Sequence, residues 1–247
     1  MITEVQLERS TATADTARLP APLDLRLSLL SAGDMGPSGG PNPRRDAWLQ
    51  RQGVAPHKTA LRHQTHSRRV AIVNPQTVVD YHYEADGMLC ADAGVSLAVT
   101  VADCMPIFVW DRLRGVRAAL HSGWKGTGIV AVALDLLHAE WGSEAADLEV
   151  VLGPCIGACC YRVERARALE FGARWGDNTV RRDAAGAAYL DLRAANRAIL
   201  FERGVRSLTE VNECTVCSRD LGSYRRQGAG SFVRMLAIAV GEANSYE

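Results

Sequence analysis

The sequence predicts a mixed α/β fold in which helices cover a central sheet. Short apolar runs rich in β-branched residues, such as Val95–Thr100 and Ile107–Trp110, are typical of buried strands. Longer stretches with helical periodicity alternate with these runs, and such alternation favours a sheet flanked by helices. The chain has 247 residues, 47% of them hydrophobic, which suits one hydrophobic core or two closely packed lobes.

The first part of the chain predicts an edge segment, a strand and a loop. Residues 1–22 are polar and lack periodicity, so we expect them to fray or to lie along an edge strand. Leu23–Leu29 alternates leucine with polar residues, the pattern of a half-exposed strand. Ser31–Pro43 is dense in Gly, Pro and Ser and predicts a mobile loop. No internal repeat or linker follows, so residues 23–247 are expected to form a single domain.

The middle of the chain alternates predicted helices and strands. Arg44–Gln52 has the pattern of a helix that ends at Gly53. Val70–Val73 and Val116–Leu120 are apolar runs typical of strands. Gly128–Trp141 predicts an amphipathic helix with one apolar face.

The remainder of the chain continues this alternation. Leu148–Leu152 predicts a strand and Ser231–Val240 a closing strand. Two helices are predicted between them, at Glu164–Trp175 and Tyr189–Arg203.

Three groups that carry chemistry lie next to predicted strands, where loops usually carry function. They are Cys104, His121 and the run His63-Gln64-Thr65-His66. One Cys and one or two His from separate strand ends can hold a catalytic zinc, with water in the open fourth position. The same residues can instead form a Cys–His nucleophile pair. Spacing alone does not distinguish either arrangement from a buried thiol near unrelated histidines.

Other cysteines have spacings that occur in metal and redox sites. Cys155, Cys159 and Cys160 form a Cys-x3-Cys-Cys group, for which we favour small packed thiols. Cys214 and Cys217 form a Cys-x-x-Cys pair. Because no second pair and no thioredoxin-like βαβ unit surrounds it in the sequence, we expect this pair to be packed thiols too.

Charge and composition argue against several functions. Lys plus Arg and Asp plus Glu both number 28, so no net field favours nucleic acid or an anionic membrane as a partner. No apolar run approaches the roughly 20 residues that a membrane span needs. Seven cysteines and a polar opening without a signal peptide favour reduced thiols and a cytoplasmic location. A monomer and a homodimer are both compatible with the sequence.

Several ordered motifs, spread from about Arg45 to Met235, are individually specific. They are Gln64-Thr65-His66, Ala85-Asp86-Gly87, Ala102-Asp103-Cys104-Met105-Pro106, His121-Ser122-Gly123-Trp124-Lys125-Gly126, Gly153-Pro154-Cys155-Ile156-Gly157 with Cys159-Cys160-Tyr161, and Cys214-Thr215-Val216-Cys217 with Ser223-Tyr224-Arg225-Arg226. Together they resemble the YfiH family, also called the multicopper-polyphenol-oxidase or laccase-domain family, whose bacterial members include the peptidoglycan editing factor. The resemblance implies a YfiH-like α/β/α layered fold in a single domain.

The resemblance also implies a metal site. It makes His66, Cys104 and His121 the ligands of a zinc ion, with copper as the alternative metal. A Cys and two His leave one position for water, which agrees with a catalytic zinc site. Asp103, which precedes the cysteine ligand, is a candidate for orienting it.

Members of this family are described as purine nucleoside phosphorylases that also deaminate adenosine and cleave methylthioadenosine, and this activity is our main hypothesis. The expected partners are therefore a purine nucleoside and phosphate. Phosphorolysis needs an anion site, which Arg45, the Gly126 turn and either Arg225 or Arg226 could supply.

Two other activities stay open. Some members are described as copper-dependent polyphenol oxidases, but laccase-type oxidation needs several coppers and many His ligands, and this chain has six His. Others are described as guarding peptidoglycan precursors against misincorporated serine. A metal-free cysteine hydrolase, with Cys104 as nucleophile and His121 as base, would suit the editing of such a precursor.

Overall fold

Two seven-stranded sheets pack face to face at the centre of the computed structural model, which describes residues 1–37 and 40–242. The strands are β1 Ile2–Val5, β2 Glu8–Arg9, β3 Thr16–Leu19, β4 Leu25–Ser28, β5 Thr59–His63, β6 Val70–Ile72, β7 Val79–Glu84, β8 Gly87–Cys90, β9 Ser96–Val101, β10 Met105–Asp111, β11 Val116–Ser122, β12 Glu149–Leu152, β13 Arg162–Val163, β14 Val180–Arg182, β15 Ala188–Leu190, β16 Ser207–Val211 and β17 Met235–Ala239. The helices are α1 Pro43–Arg51, α2 Ile129–Trp141, α3 Arg165–Trp175, α4 Leu192–Glu202 and α5 Tyr224–Gln227.

Both large sheets are mixed. The first has the order β1-β16-β12-β10-β11-β8-β6, with antiparallel pairs from β12 to β8 and parallel pairs towards both edges. The second has the order β2-β3-β4-β17-β9-β5-β7, in which only β5 pairs in parallel with its neighbours. A third, three-stranded sheet has the order β13-β15-β14. This combination of sheets and helices confirms the predicted mixed α/β class.

The structure contains two large sheets where the sequence predicts one central sheet. In β10, Ile107 and Val109 belong to a core that includes α2, whereas Phe108 between them belongs to the core between the two sheets. A strand buried on both faces is a continuous apolar run, and such a run does not reveal whether a helix or another sheet covers each face. The layers are α2 to α4, the first sheet, the second sheet and then α1.

Residues 1–22 contribute three short strands at or next to the edges of the two large sheets. β1 pairs in parallel with β16 at the edge of the first sheet, and β2 and β3 extend the second sheet beyond β4. The Arg9 guanidinium donates to the two carboxylate oxygens of Glu213, at 2.7 and 2.6 Å. This ion pair connects the edge of the second sheet with the loop that follows β16.

The predicted helices occur with small changes at their ends. α1 begins where the Asn42 side chain accepts hydrogen bonds from the backbone N–H groups of Arg44 and Arg45, at 3.0 and 3.1 Å. The helix predicted from Tyr189 begins only at Leu192, because Asp191 caps it and Tyr189 belongs to β15. None of the described helices is long and apolar enough to cross a membrane.

Two expectations extend beyond the described residues. The loop predicted at Ser31–Pro43 includes Ser38 and Gly39, which are not among the described residues. The beginning of this loop is described and takes part in a short 3-10 turn, Leu30–Ala32. Residues 243–247 of the predicted domain also lie outside the described part of the chain.

Candidate metal centre and its cavity

The three predicted ligands converge at one end of the first sheet. The ligand atoms of His66, Cys104 and His121 all lie within 4.8 Å of one another. β10 and β11 are antiparallel neighbours in which Pro106 pairs with His121, so Cys104, just before β10, lies beside the end of β11. The rings of His66 and His121 meet edge to face, with their centroids 4.9 Å apart.

One buried carboxylate, that of Asp86, organises this cluster. It accepts hydrogen bonds from the backbone N–H groups of Thr65, His66 and Ser67, at 3.1, 3.0 and 2.7 Å. Its Oδ1 also lies 2.8 Å from Nδ1 of His121, so that Nε2 of this ring is left for a metal. These bonds hold His66 at a φ of 59°, a left-handed conformation that is uncommon for a residue with a side chain.

The Asp86 carboxylate is charged in this setting. Burial alone would raise its pKa, but the hydrogen bonds from His121 and Ser67 outweigh burial and lower the pKa below its ordinary value. A negative charge beside Nδ1 of His121 in turn strengthens that imidazole as a metal ligand.

Cys104 and His121 form a polarised pair. Burial opposes ionisation of the Cys104 thiol, yet the nearby rings of His121 and His66 lower its pKa to about 6. Burial likewise disfavours the charged form of His121, but Cys104 and Asp86 raise its pKa to about 10. Without a metal, these shifts favour a thiolate beside an imidazolium.

The loops around the cluster leave little spare room. A Cβ atom on Gly123 would lie 2.7 Å from Sγ of Cys104, so only glycine leaves the thiolate its space. Asp103 has a φ of 85° and accepts hydrogen bonds from the Thr215 hydroxyl, at 2.6 Å, and from the backbone N–H of Arg225, at 2.7 Å. Asp103 thus connects the loop of Cys104 to α5, and its expected role in orienting the cysteine stays a prediction.

The cluster opens into a cavity of about 520 Å³. Aromatic side chains line its walls: Trp124, Tyr161, Tyr224 and Phe232. Three arginines, Arg167, Arg225 and Arg234, also line the cavity and bring positive charge to it. Such a cavity can enclose a flat apolar group and an anion close to the metal ligands.

Of the residues expected to bind phosphate, Arg225 lines this cavity. Arg45 is fully buried, and its guanidinium donates to the backbone carbonyl of Gly40 at 2.6 Å. Gly126 packs against the loop of His66, since a Cβ there would lie 3.1 Å from the Ser67 carbonyl oxygen. Arg226 donates to the carbonyls of Thr215, Val216, Ser218 and Leu221.

Sequence reasoning missed Arg167, Arg234 and Asp86 as site residues. Arg167 lies on α3 with its guanidinium 4.6 Å from the centre of the Trp124 ring, and Arg234 pairs with Asp34 at 3.0 Å. Neither arginine stands in a recognisable motif. Asp86 does, in Ala85-Asp86-Gly87, and that motif is the signal that could have identified it.

The donor set fits one metal ion. One thiolate and two imidazoles are ligands that zinc commonly takes at catalytic sites. Multi-copper oxidation requires many more imidazoles. Among the described residues, His57, His82 and His138 are exposed and do not line the cavity, so the site fits a mononuclear centre better than a copper cluster.

Comparisons with known proteins find a family and several relatives of this chain. The family described as multi-copper polyphenol oxidoreductase laccase matches residues 42–240. A purine nucleoside phosphorylase of Corynebacterium glutamicum is 31% identical over 179 residues, which are 71% of this chain and 72% of that protein. The adenosine deaminase RL5 of an unknown prokaryotic organism is 32% identical over 195 residues, 72% of this chain and 74% of that protein.

The fold is also that of a solved structure. YlmD from Geobacillus stearothermophilus matches with a TM-score of 0.86 and 25% sequence identity, over 96% of this chain and 100% of that chain.

Proposed function

The chain belongs to the family described as multi-copper polyphenol oxidoreductase laccase, and from this premise we propose that it is a zinc-dependent purine nucleoside enzyme. It cleaves adenosine, inosine or methylthioadenosine with phosphate, and it deaminates adenosine. The observation that carries the proposal is the His66–Cys104–His121 cluster at a cavity with aromatic walls and three arginines. Relatives named as purine nucleoside phosphorylase and adenosine deaminase supply the substrate class.

His66, Cys104 and Nε2 of His121 would hold the zinc ion. When bound, the ion supplies a Lewis acid with one open coordination position. Asp86 keeps the His121 ring in the tautomer that has its proton on Nδ1, because Oδ1 accepts that proton's hydrogen bond at 2.8 Å. The aromatic walls exclude water from the purine and can stack on it.

Phosphorolysis needs phosphate beside the ribose. A phosphate oxygen attacks C1′ of the ribose, the bond from C1′ to the purine nitrogen breaks, and the leaving purine takes up a proton. Arg167, Arg225 and Arg234 carry fixed positive charges that bind and orient the phosphate. His63 also lines the cavity and is exposed, so its imidazole can exchange the proton with solvent.

Deamination uses the same cavity without phosphate. Water adds to C6 of the purine, the C6–N bond breaks and ammonia leaves. The arginines are then not needed for chemistry, so the two reactions should depend on them differently.

A metal-free cysteine hydrolase is the second candidate, and one observation favours it. Cys104, His121 and Asp86 have the order of a nucleophile, a base and an orienting carboxylate, with the thiol pKa lowered to about 6. In that case the thiolate of Cys104 would attack an amide carbon, such as one in a peptidoglycan precursor. The C–N bond would break as the amine leaves with a proton from His121, and water would then hydrolyse the thioester and restore the thiol. The family name also keeps copper as the alternative metal, although the donor set suits a single ion.

A cytoplasmic location belongs to the same proposal. A cysteine ligand must stay reduced, and all seven cysteines are free thiols. The three ligands come from one chain, so a monomer is sufficient for the metal centre and a homodimer is not required for it.

The proposal is tested by following adenosine with purified, zinc-loaded protein. With phosphate we expect adenine and ribose 1-phosphate, and without phosphate inosine. Cys104→Ala should lower both rates at least about 100-fold with the fold retained, because the metal loses its thiolate. Cys90→Ala, a buried thiol outside the cavity, is the matched control and should keep both rates.

Chelation separates the two candidates. A chelator should abolish nucleoside turnover, and added zinc should restore it, if the enzyme works through the metal. An unchanged rate in Cys104→Ala would remove this residue from the mechanism. Amide hydrolysis that survives chelation but not Cys104→Ala would establish the thiol hydrolase instead.

A further inference from the structure

Four cysteines meet at the surface beside the cavity, where the sequence favoured small packed thiols. They are Cys159, Cys160, Cys214 and Cys217, and their sulfur atoms all lie within 4.8 Å of one another. Cys159 and Cys160 come from the turn after β12, and the other two from the turn after β16. Because 58 residues separate Cys159 from Cys217, their spacing in the sequence does not indicate that the two pairs meet.

Two of the six sulfur–sulfur distances match those of a metal–thiolate tetrahedron, and all six are below 4.8 Å. Sγ of Cys217 lies 3.8 Å from Sγ of Cys159 and 3.6 Å from Sγ of Cys160. Zinc–sulfur bonds of about 2.3 Å at tetrahedral angles put neighbouring sulfurs about 3.8 Å apart. A disulfide would require a sulfur–sulfur distance of about 2.0 Å.

The backbone holds both turns in this arrangement. In the first turn, the backbone N–H groups of Cys160 and Tyr161 both donate to the Gly157 carbonyl at 2.9 Å. In the second turn, the N–H groups of Cys217 and Ser218 donate to the Cys214 carbonyl, at 3.1 and 2.9 Å.

The two turns are also joined to each other. The backbone N–H of Gly157 donates to Sγ of Cys214 at 3.2 Å, a bond that suits a thiolate. Gly157 also leaves space for the sulfurs, since a Cβ there would lie 3.1 Å from Sγ of Cys159. The backbone N–H of Thr215 donates to the Cys155 carbonyl at 3.1 Å, so the turns stay in register.

We propose that Cys159, Cys160, Cys214 and Cys217 bind a second, structural Zn²⁺ ion. Four thiolates close the tetrahedron and leave no open position, which distinguishes structural from catalytic zinc sites. Thiolate ligands favour zinc over magnesium and calcium, which prefer oxygen ligands. The proposal does not depend on the proposed function, because it shares no ligand with the His66–Cys104–His121 cluster.

The ion would stabilise one wall of the cavity. Arg225, which lines the cavity, donates from its guanidinium to the carbonyl of Cys160 at 3.2 Å. Thr215, inside the second turn, donates to Asp103 at 2.6 Å. A metal that ties the two turns together therefore fixes the residues on which Arg225 and the loop of Cys104 rest.

The site is tested in a His66→Ala/His121→Ala double variant, which leaves the four cysteines as they are. Titration with Co²⁺ as a probe should produce an intense thiolate-to-cobalt charge-transfer absorption. Elemental analysis should find about one zinc per chain in this variant and about two in the wild type. Adding Cys217→Ser should abolish the charge-transfer absorption and reduce the zinc content to about zero.

Cys155→Ala is the matched control, because this thiol lies next to the cluster but outside the four. It should leave the zinc content at about two per chain. Three results would overturn the proposal: about one zinc in the wild type and none in the double variant, iron or copper in place of zinc, or two of the four cysteines recovered as a disulfide from freshly lysed, alkylated cells. None of these readouts uses turnover, so failure here is distinct from failure of the proposed function.

Discussion

At the scale of single residues, Asp86 explains why two histidines from different loops face one cysteine. Its carboxylate binds the backbone N–H groups of the His66 loop and Nδ1 of His121 at the same time. A carboxylate that accepts several hydrogen bonds stays charged even when fully buried. The position of both imidazoles therefore rests on a residue that does not itself belong to the ligand set.

Gly123→Ala tests how tightly the ligand set is enclosed. The backbone of Gly123 lies outside the left-handed region, so alanine is allowed there, but its Cβ would lie 2.7 Å from Sγ of Cys104. We expect zinc affinity at the catalytic cluster to fall about 10- to 100-fold, the size of effect seen when a metal ligand loses its positioning. Competition with a chromophoric chelator measures this affinity.

Gly230→Ala is the matched control, because a Cβ there meets no atom within 4 Å. Its zinc affinity should equal that of the wild type. If Gly123→Ala also binds zinc as tightly as the wild type, then Cys104 has room to move and the cluster is not enclosed as we describe.

The sequence predicted the role of single residues where that role depends on the type of side chain. His66, Cys104 and His121 were expected together, and their side chains do meet. The sequence did not predict most of the arginines that surround them. Nothing in the residues next to Arg167 or Arg45 indicates which of the two side chains reaches the cavity. Only the packing decides that one lines the cavity and the other is buried against a loop.

At the scale of elements, the two adjacent arginines of α5, Arg225 and Arg226, have different roles. The side chain of Arg225 lines the cavity, whereas that of Arg226 turns back to four backbone carbonyls of the loop before α5. Adjacent residues of a helix point about 100° apart, so one turn of helix can serve the site and the fold at once.

Exchanging each arginine for alanine should therefore give opposite phenotypes. Arg225→Ala removes a charge-assisted contact to phosphate, so we expect the KM for phosphate to rise about 10-fold, with little change in deamination. Arg226→Ala leaves carbonyls without donors and should lower the free energy of unfolding by about 2–4 kcal/mol. Michaelis kinetics and urea denaturation measure the two effects.

The two variants act as controls for each other. Arg225→Ala should lose much less stability than Arg226→Ala, because the hydrogen bonds from Arg225 to the carbonyls of Cys160 and Arg162 are solvent-exposed. Arg226→Ala should keep a near-normal KM for phosphate while it remains folded. Loss of stability in Arg225→Ala with an unchanged KM would mean that the roles of the two arginines are reversed.

Element boundaries were predictable where a capping residue or a glycine marks them. α1 follows its Asn42 cap, and α2 ends before Gly142, which has a φ of 64°. The start of α4 was misplaced because Tyr189 and Leu190 continue the apolar periodicity although they belong to β15. Periodicity alone does not distinguish a short strand from the first turn of the helix that follows it.

At the scale of the whole molecule, the first residues connect the two sheets. Arg9 in β2 pairs with Glu213 behind β16, and the Glu213 side chain is only 7% exposed. Burial alone would raise the pKa of Glu213, but the hydrogen bonds from Arg9 and from the Leu7 N–H outweigh burial and lower it. A carboxyl with a lowered folded-state pKa stabilises the fold above its unfolded pKa, about 4.3, and this contribution is lost as pH falls through the folded-state pKa.

Arg9→Gln should accordingly destabilise the protein in a pH-dependent way. We expect a loss of about 1–2 kcal/mol at pH 7, because Glu213 stays buried without its cation. The difference from the wild type should shrink as pH falls below the unfolded pKa of about 4.3 and through the lowered folded-state pKa of Glu213, because the carboxyl is then protonated in both proteins. Urea denaturation at several pH values measures this dependence.

Arg18→Gln is the matched control on the neighbouring strand. The Arg18 side chain is 58% exposed and its Nη1 lies 3.4 Å from Oδ1 of Asp24, so its removal should cost less than about 0.5 kcal/mol at every pH. A pH-independent loss in Arg9→Gln would show that packing, and not the ion pair, connects the two sheets.

The sequence by itself determined the mixed α/β class, the family motifs and the three residues of the candidate metal centre. These features are local, because periodicity, turn residues and sequence motifs depend only on residues that are close together along the chain. The tertiary structure decided that two sheets stack, that Arg167, Arg225 and Arg234 share one cavity, and that two distant cysteine pairs meet. These outcomes depend on which strand ends the topology brings together, and no short stretch of sequence contains that information.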